Sequence, residues 1–72
     1  MNVECHAGYV YPEYPSAIVE GKLRYEINRV TAEWHTPDGK KHFKVVLADQ
    51  NTRELIYDPI QEDWQAIEYI SG

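Results

Sequence analysis

The residues of this chain best suited to hold a metal ion are Cys5, His6, His35 and His42. A thiolate and imidazole nitrogens are the donors zinc prefers, but zinc sites present them in short-spaced pairs. Cys5 and His6 are adjacent, and neighbours rarely chelate one ion together. His35 and His42 meet only if a hairpin folds between them, and there they read, with Glu33, as a solvated cross-strand patch capable of a weak pH-dependent contact. Neither a metal nor a cofactor is expected. Carboxylate pairs occur at Glu62-Asp63 and at Glu54 with Asp58. General acid–base work needs a desolvated acid in a cleft, and neighbouring acids on a loop are usually solvated. Ser16 and Ser71 lie in no motif that would activate a nucleophile. The four glycines, at positions 8, 21, 39 and 72, are isolated, so no phosphate-cradling loop is formed. These residues point away from an enzyme.

Binding chemistry is better represented. Tyr9, Tyr11 and Tyr14 stand beside Pro12 and Pro15. Prolines at this spacing favour extended or polyproline-like backbone. The tyrosines either cover the open side of a small core or form an exposed aromatic surface for a protein partner. A second surface is basic. Lys22, Arg24, Arg29, Lys40, Lys41 and Lys44 fall on neighbouring elements and, with a Tyr or Trp to stack a base, would suit nucleic acid. Within this set Lys22, Arg24 and Lys44 are the strongest candidates.

Charge distribution weighs on that choice. The chain has 72 residues and a net charge of −5. All seven Lys and Arg lie between Lys22 and Arg53, where they meet four acids, a local charge of +3. The first twenty residues carry three acids and no base, and the residues after Arg53 carry five acids and no base. Backbone binding to nucleic acid depends on cation count, so the overall balance opposes it and favours a protein partner. A lone cysteine permits no internal disulfide, which suggests a reducing cytoplasm. No signal peptide or membrane-spanning run is expected. A chain this short buries only about 60 % of its unfolded surface and forms one small core.

The elements that must position these residues are strands. Val30, Ala32 and Trp34 alternate with Thr31, Glu33 and His35. Phe43, Val45 and Leu47 alternate with His42 and Lys44. Thr36-Pro37-Asp38-Gly39 lies between the two runs and carries the residues a tight turn requires. A four-residue loop over 36–39 pairs His35 with Lys40, Trp34 with Lys41, Ala32 with Phe43 and Val30 with Val45. Trp34 and Phe43 then share the core face, Glu33 opposes His42, and Thr31 opposes Lys44. Upstream, Ala17 to Ile27 reads as a strand or a bent pair broken at Gly21, with Leu23, Tyr25 and Ile27 on one face. Asp49 to Thr52 is the next turn, and Arg53 to Tyr57 a further strand.

The C-terminal segment admits two readings. Asp58-Pro59 with Gln61 matches a helix start, and Ile60, Trp64, Ile67 and Ile70 follow helical spacing. Equally, Asp58 to Asp63 can be a hairpin loop and Trp64 to Ile70 a strand.

From Glu20 to Ile70 the chain resembles a family of small uncharacterised bacterial β-meander domains. Gly21, Lys22, Tyr25, Ile27, Trp34, Phe43, Val45, Glu54, Leu55, Tyr57 and Trp64 carry the resemblance. Similar domains stand alone or look like appendages of some Y-family DNA polymerase-like proteins. The resemblance implies a fold more than a function, and it favours the strand over the helix at Trp64. The resembling domains carry more arginines than this chain.

The expected architecture is therefore all-β, or β with one short C-terminal helix. An antiparallel meander of five or so strands curls into an SH3-like open barrel. Residues 1–16 are expected to form a tyrosine- and proline-rich arm, and 17–72 the single domain. The expected core is Leu23, Tyr25, Ile27, Val30, Ala32, Trp34, Phe43, Val45, Leu47, Leu55, Tyr57 and Trp64. The expected function is non-catalytic protein binding, through the arm or a sheet edge. The alternative is a nucleic-acid-associated accessory domain.

Overall fold

The computed structural model describes residues 2–5 and 14–68. They form six strands: β1 (Asn2–Cys5), β2 (Pro15–Glu20), β3 (Leu23–His35), β4 (Lys41–Leu47), β5 (Thr52–Asp58) and β6 (Asp63–Glu68). The strands pair in chain order, each antiparallel to the next, as one meander. The sheet curls into a nearly closed barrel, with no helix among the described residues. β3 makes the curl possible. It pairs with β2 along Leu23–Glu26 and with β4 along Ile27–His35. One long strand thus belongs to both halves of the sheet. The sheet also extends upstream of residue 17, into the stretch read as an arm. Asn2–Cys5 is a strand, and Pro15 is buried at the start of β2.

The turns show why the chain reverses where it does. Gly21-Lys22 is a two-residue hairpin loop closed by the Glu20–Leu23 pair. Gly21 alone of the two has positive φ, at +59°, the type II′ arrangement whose twist suits adjoining strands. At the β3–β4 tip Gly39 N–H donates to the Thr36 carbonyl at 2.9 Å, and Thr36 N–H to the Lys40 carbonyl at 3.0 Å. With Gly39 at φ +87°, this is a type I turn followed by a left-handed bulge residue. The β4–β5 tip repeats it. Gln50 N–H donates to the Leu47 carbonyl at 2.9 Å, Leu47 N–H donates to the Asn51 carbonyl at 2.8 Å, and Gln50 takes φ +74°. An aspartate occupies the same place in both tips. Asp38 Oδ1 accepts from Lys40 N–H, and Asp49 Oδ1 from Asn51 N–H.

This turn chemistry corrects the hairpin register. The loop spans Pro37–Gly39 and closes on Thr36 and Lys40, so His35 pairs with Lys41 rather than Lys40. Trp34 then faces His42, Glu33 faces Phe43, and Ala32 faces Lys44. Val30 still opposes Val45, because the register shifts between Val30 and Ala32. A second shift lies between Ile27 and Arg29. Each bulge moves the inward-facing set by one residue. Tyr25 and Ile27 pack inward, then Val30, then Glu33 takes the core face opposite Phe43.

The core corrects accordingly. Phe43, Val45, Leu47, Leu55, Ile18 and Ala17 are buried. Val3, Tyr14, Tyr25, Ile27, Val30 and Trp64 pack against this cluster. Trp34 is 37 % exposed and Leu23 60 % exposed, and neither belongs to the core. Ala32 is exposed as well. Leu23 sits beside the Gly21-Lys22 turn, and Ala32 and Trp34 lie beyond the bulge that reverses their face. Tyr57 is half-buried, with its ring 4.8 Å from Trp64. Over the open end of the barrel, Lys41 Nζ lies 5.5 Å from the Phe43 ring and 3.5 Å from Glu33.

The C-terminal segment is a strand. Asp58 Oδ1 does accept from the backbone N–H of Ile60, at 2.9 Å, and of Gln61, at 3.3 Å, as a helix cap would. Glu62 then adopts φ +53°, which stops any helical run and turns the chain back. The cap signature closes a hairpin loop over 59–62, and Asp58 pairs with Asp63. Ile70 lies outside the described residues.

Candidate functional site

Two surfaces bring together residues with chemistry. The first is the outer face of the sheet. Trp34 and His42, opposite each other on β3 and β4, stack with ring centroids 5.2 Å apart and an interplanar angle of 18°. His42 Nδ1 lies 3.0 Å from Glu54 Oε2, on β5, and both side chains are only 13 % exposed. His42 Nε2 lies 3.3 Å from the Thr36 hydroxyl. The order hydroxyl, imidazole, carboxylate is that of a nucleophilic triad. The Thr36 hydroxyl, however, donates to Asp38 Oδ1, so its proton points away from the histidine. The two imidazole nitrogens thus lie against the Glu54 carboxylate and the Thr36 hydroxyl. The arrangement anchors the hairpin tip to β5. Asp38 is held below the ordinary carboxylate range by the Thr36 hydroxyl and by the Lys40 N–H.

The second surface is the seam of the barrel. β6 is bonded to β5 along one side, and among the described residues no strand pairs with its other side. Beside it lies an open cleft of about 620 Å³. Glu20 and Gly21 line one bank, and Trp64, Gln65, Ala66 and Ile67 the other. Trp64 and Ala66 share the inward face with Tyr57 and Leu55, their partners in register. Gln65 and Ile67 take the outward face, opposite Ile56 and Glu54. Ile67 is 47 % exposed, and Ile60, in the β5–β6 loop, is 87 % exposed. Trp64 itself rests on Phe43, with centroids 5.7 Å apart, so this bank is fixed to the core.

The residues singled out from the sequence are dispersed. Tyr9 and Tyr11 lie outside the described residues. Tyr14 packs on the core, its ring meeting Phe43 edge-on at 6.1 Å. Lys22 is exposed in the β2–β3 turn. Arg24 donates to Glu4 at 2.8 Å and to Glu26 at 2.7 Å, an exposed ion-paired cluster spanning β1 to β3. The guanidinium's hydrogen bond holds Glu4 below its ordinary pKa, and the two glutamates raise that of Arg24. Lys44 projects from the middle of β4, in the row Ala32–Lys44–Glu54. The structure thus sets Lys22 and Arg24 around the β2–β3 hairpin and Lys44 in the β3–β5 half.

No family model, curated protein or solved structure matches this chain. The site must be read from its own geometry. Among the described residues no group of three or more His, Cys, Asp or Glu converges as metal ligands would. His35 lies opposite Lys41, on the other face from His42, and His6 lies outside the described residues. No described helix is long and apolar enough to cross a membrane.

Sequence reasoning expected a sheet edge without naming β6 as the strand that supplies it, and it missed the Trp34–His42 stack with its Glu54 contact. The edge had no signature because it depends on which strand ends the meander. The stack had one: Pro-Asp-Gly favours a three-residue loop with glycine left-handed, and that loop alone sets Trp34 opposite His42.

Proposed function

We propose that this chain is a non-catalytic protein-interaction module that binds an extended segment of its partner by strand addition along β6. The observation that carries this reading is an edge strand of six residues bordering an open cleft. An edge strand presents a row of main-chain donors and acceptors, and pairing them gives affinity without any particular sequence. The partly apolar cleft lining and the exposed Ile67 add area to bury. Trp64, seated on Phe43, keeps the strand rigid and so lowers the ordering cost of binding. The family resemblance and the likeness to SH3 barrels belong to this proposal. The bent β3 and the core positions of Phe43, Val45 and Leu55 support them.

The test is to select binders from a random peptide pool and map them by amide chemical shifts. Shifts concentrated in residues 63–68 are expected. Shifts centred on Trp34 and Lys44 would refute strand addition.

A second reading, association with nucleic acid, is favoured by one observation: Trp34 and Lys44 share the outer face in adjoining rows. Against it, the two glutamates engage Arg24. Single-stranded oligonucleotide at low salt should move Lys22, Arg24 and Lys44 if that reading holds, with the effect fading as salt rises.

A further inference from the structure

We infer that the segment β6 accepts is basic and alternates apolar with Lys or Arg residues; this rests on the strand-addition reading above. The alternation follows from the pleat. Trp64 and Ala66 face the barrel interior, while Gln65 and Ile67 face outward. A strand added beside β6 alternates in the same way. One set of its side chains closes over the cleft beside Trp64 and Ala66, where apolar groups gain most contact. The other set lies along the outer rim, in solvent.

The charge follows from what surrounds the cleft. Glu20 stands on one bank, and Glu62 and Asp63 stand where β6 begins, all three exposed. Lys22, in the β2–β3 turn, is the nearby base on the Glu20 bank. Glu54, held against His42, and Arg53, opposite Glu68 in the β5–β6 register, lie outside this set. Rim positions of an added strand therefore meet a negative field, which speeds and orients the approach of a cationic segment.

A second copy of this chain is a poorer occupant. β6 reads Asp63-Trp64-Gln65-Ala66-Ile67-Glu68 and carries no Lys or Arg, so a second β6 offers the acidic rim no cation. The other edge, β1, is shorter, at four residues. It runs antiparallel to β6, since five successive antiparallel pairings separate the two. One inserted strand cannot be antiparallel to both, and the longer edge offers more main-chain bonds.

The experiment is an amide-shift titration with three hexapeptides that share valine at alternate positions. The remaining positions carry lysine, serine or glutamate. The lysine peptide should shift Gln65, Ala66 and Ile67 and bind about tenfold tighter than the glutamate peptide. That preference should vanish near 1 M salt, where the screening length is about 3 Å. The double variant Glu20→Lys/Asp63→Lys changes two exposed side chains and should reverse the preference. Methylating alternate amide nitrogens of the lysine peptide should abolish binding. Equal binding of all three peptides at β6 would overturn the basic segment and leave strand addition standing. Absence of shifts in β6 with every peptide would overturn both.

Discussion

Trp34 and Phe43 lie on opposite faces of the β3–β4 hairpin. Trp34 stacks on His42 outside, while Phe43, the next residue along β4, is 1 % exposed inside. Their substitutions should therefore differ. Phe43→Ala removes the largest fully buried side chain and should cost roughly 3–5 kcal/mol. A domain this small has only about 5 kcal/mol in hand, so that variant should be largely unfolded. Trp34→Ala gives up a stacked pair and a partly exposed ring, on the order of 1–2 kcal/mol. Its amide spectrum should stay dispersed, with a lower denaturant midpoint. Collapse of the Trp34→Ala spectrum would put that ring back into the core.

The two repeated tips allow a matched pair of substitutions. Gly39 and Gln50 hold the same left-handed place in successive hairpins, at φ +87° and +74°. A side chain there costs about 1–2 kcal/mol. Gly39→Ala should destabilise by about that much, although its Cβ would meet open space. Gln50→Gly should stabilise by about 0.5–1 kcal/mol, since glycine's greater unfolded entropy offsets part of the relief. Thermal midpoints moving in the same direction would contradict the shared turn geometry.

Much of the fold is legible in residue order, and the failures have separate physical causes. Alternation located the strands from Leu23 to Tyr57, and the Val30–Val45 pair holds. Parity then failed at Ala32 and Trp34 because a bulge beside Thr31 inserts a residue that alternation does not count. The Thr31 hydroxyl there donates to the Lys44 carbonyl at 3.2 Å, a bond available to any threonine in the sequence. Ile18, buried against Phe43 and Val45, was missing from the expected core because Ala17 to Ile27 was given an inward face only beyond Gly21. At the candidate site, Trp64 was legible as a core aromatic. The open edge of β6 was not, since an edge is a property of the whole sheet.

The loop over 59–62 should depend on Asp58. Asp58→Ala removes the acceptor of two backbone N–H groups and should cost about 1 kcal/mol. The amides of Ile60 and Gln61 should exchange faster with solvent, while those of β4 stay protected. A helical signal gained in this variant would mean that the aspartate acts against a helix rather than for the turn.

Acid should weaken the fold through named carboxylates. Hydrogen bonds from Arg24 hold Glu4 low, those from Thr36 and Lys40 hold Asp38 low, and those from Asn51 hold Asp49 low. A carboxylate whose folded pKa lies below its unfolded value contributes stability above the unfolded pKa, near 4, and loses it as pH falls through the folded value. Stability should therefore decline below about pH 4. Glu4→Gln should flatten that decline and change little under acid conditions where Glu4 is already protonated. A variant with an unchanged acid profile would remove the Glu4–Arg24 pair from the balance.

Hydrogen exchange along β6 tests strand addition most directly. In the free chain the alternate amides that face away from β5 should exchange quickly, while their neighbours, bonded to β5, exchange slowly. With a saturating lysine–valine hexapeptide, the fast set should become slow from Trp64 to Ile67, and the amides around Trp34 and Lys44 should not change. Exchange along β6 that stays fast, with protection appearing instead on the outer face, would contradict the binding mode proposed for this domain.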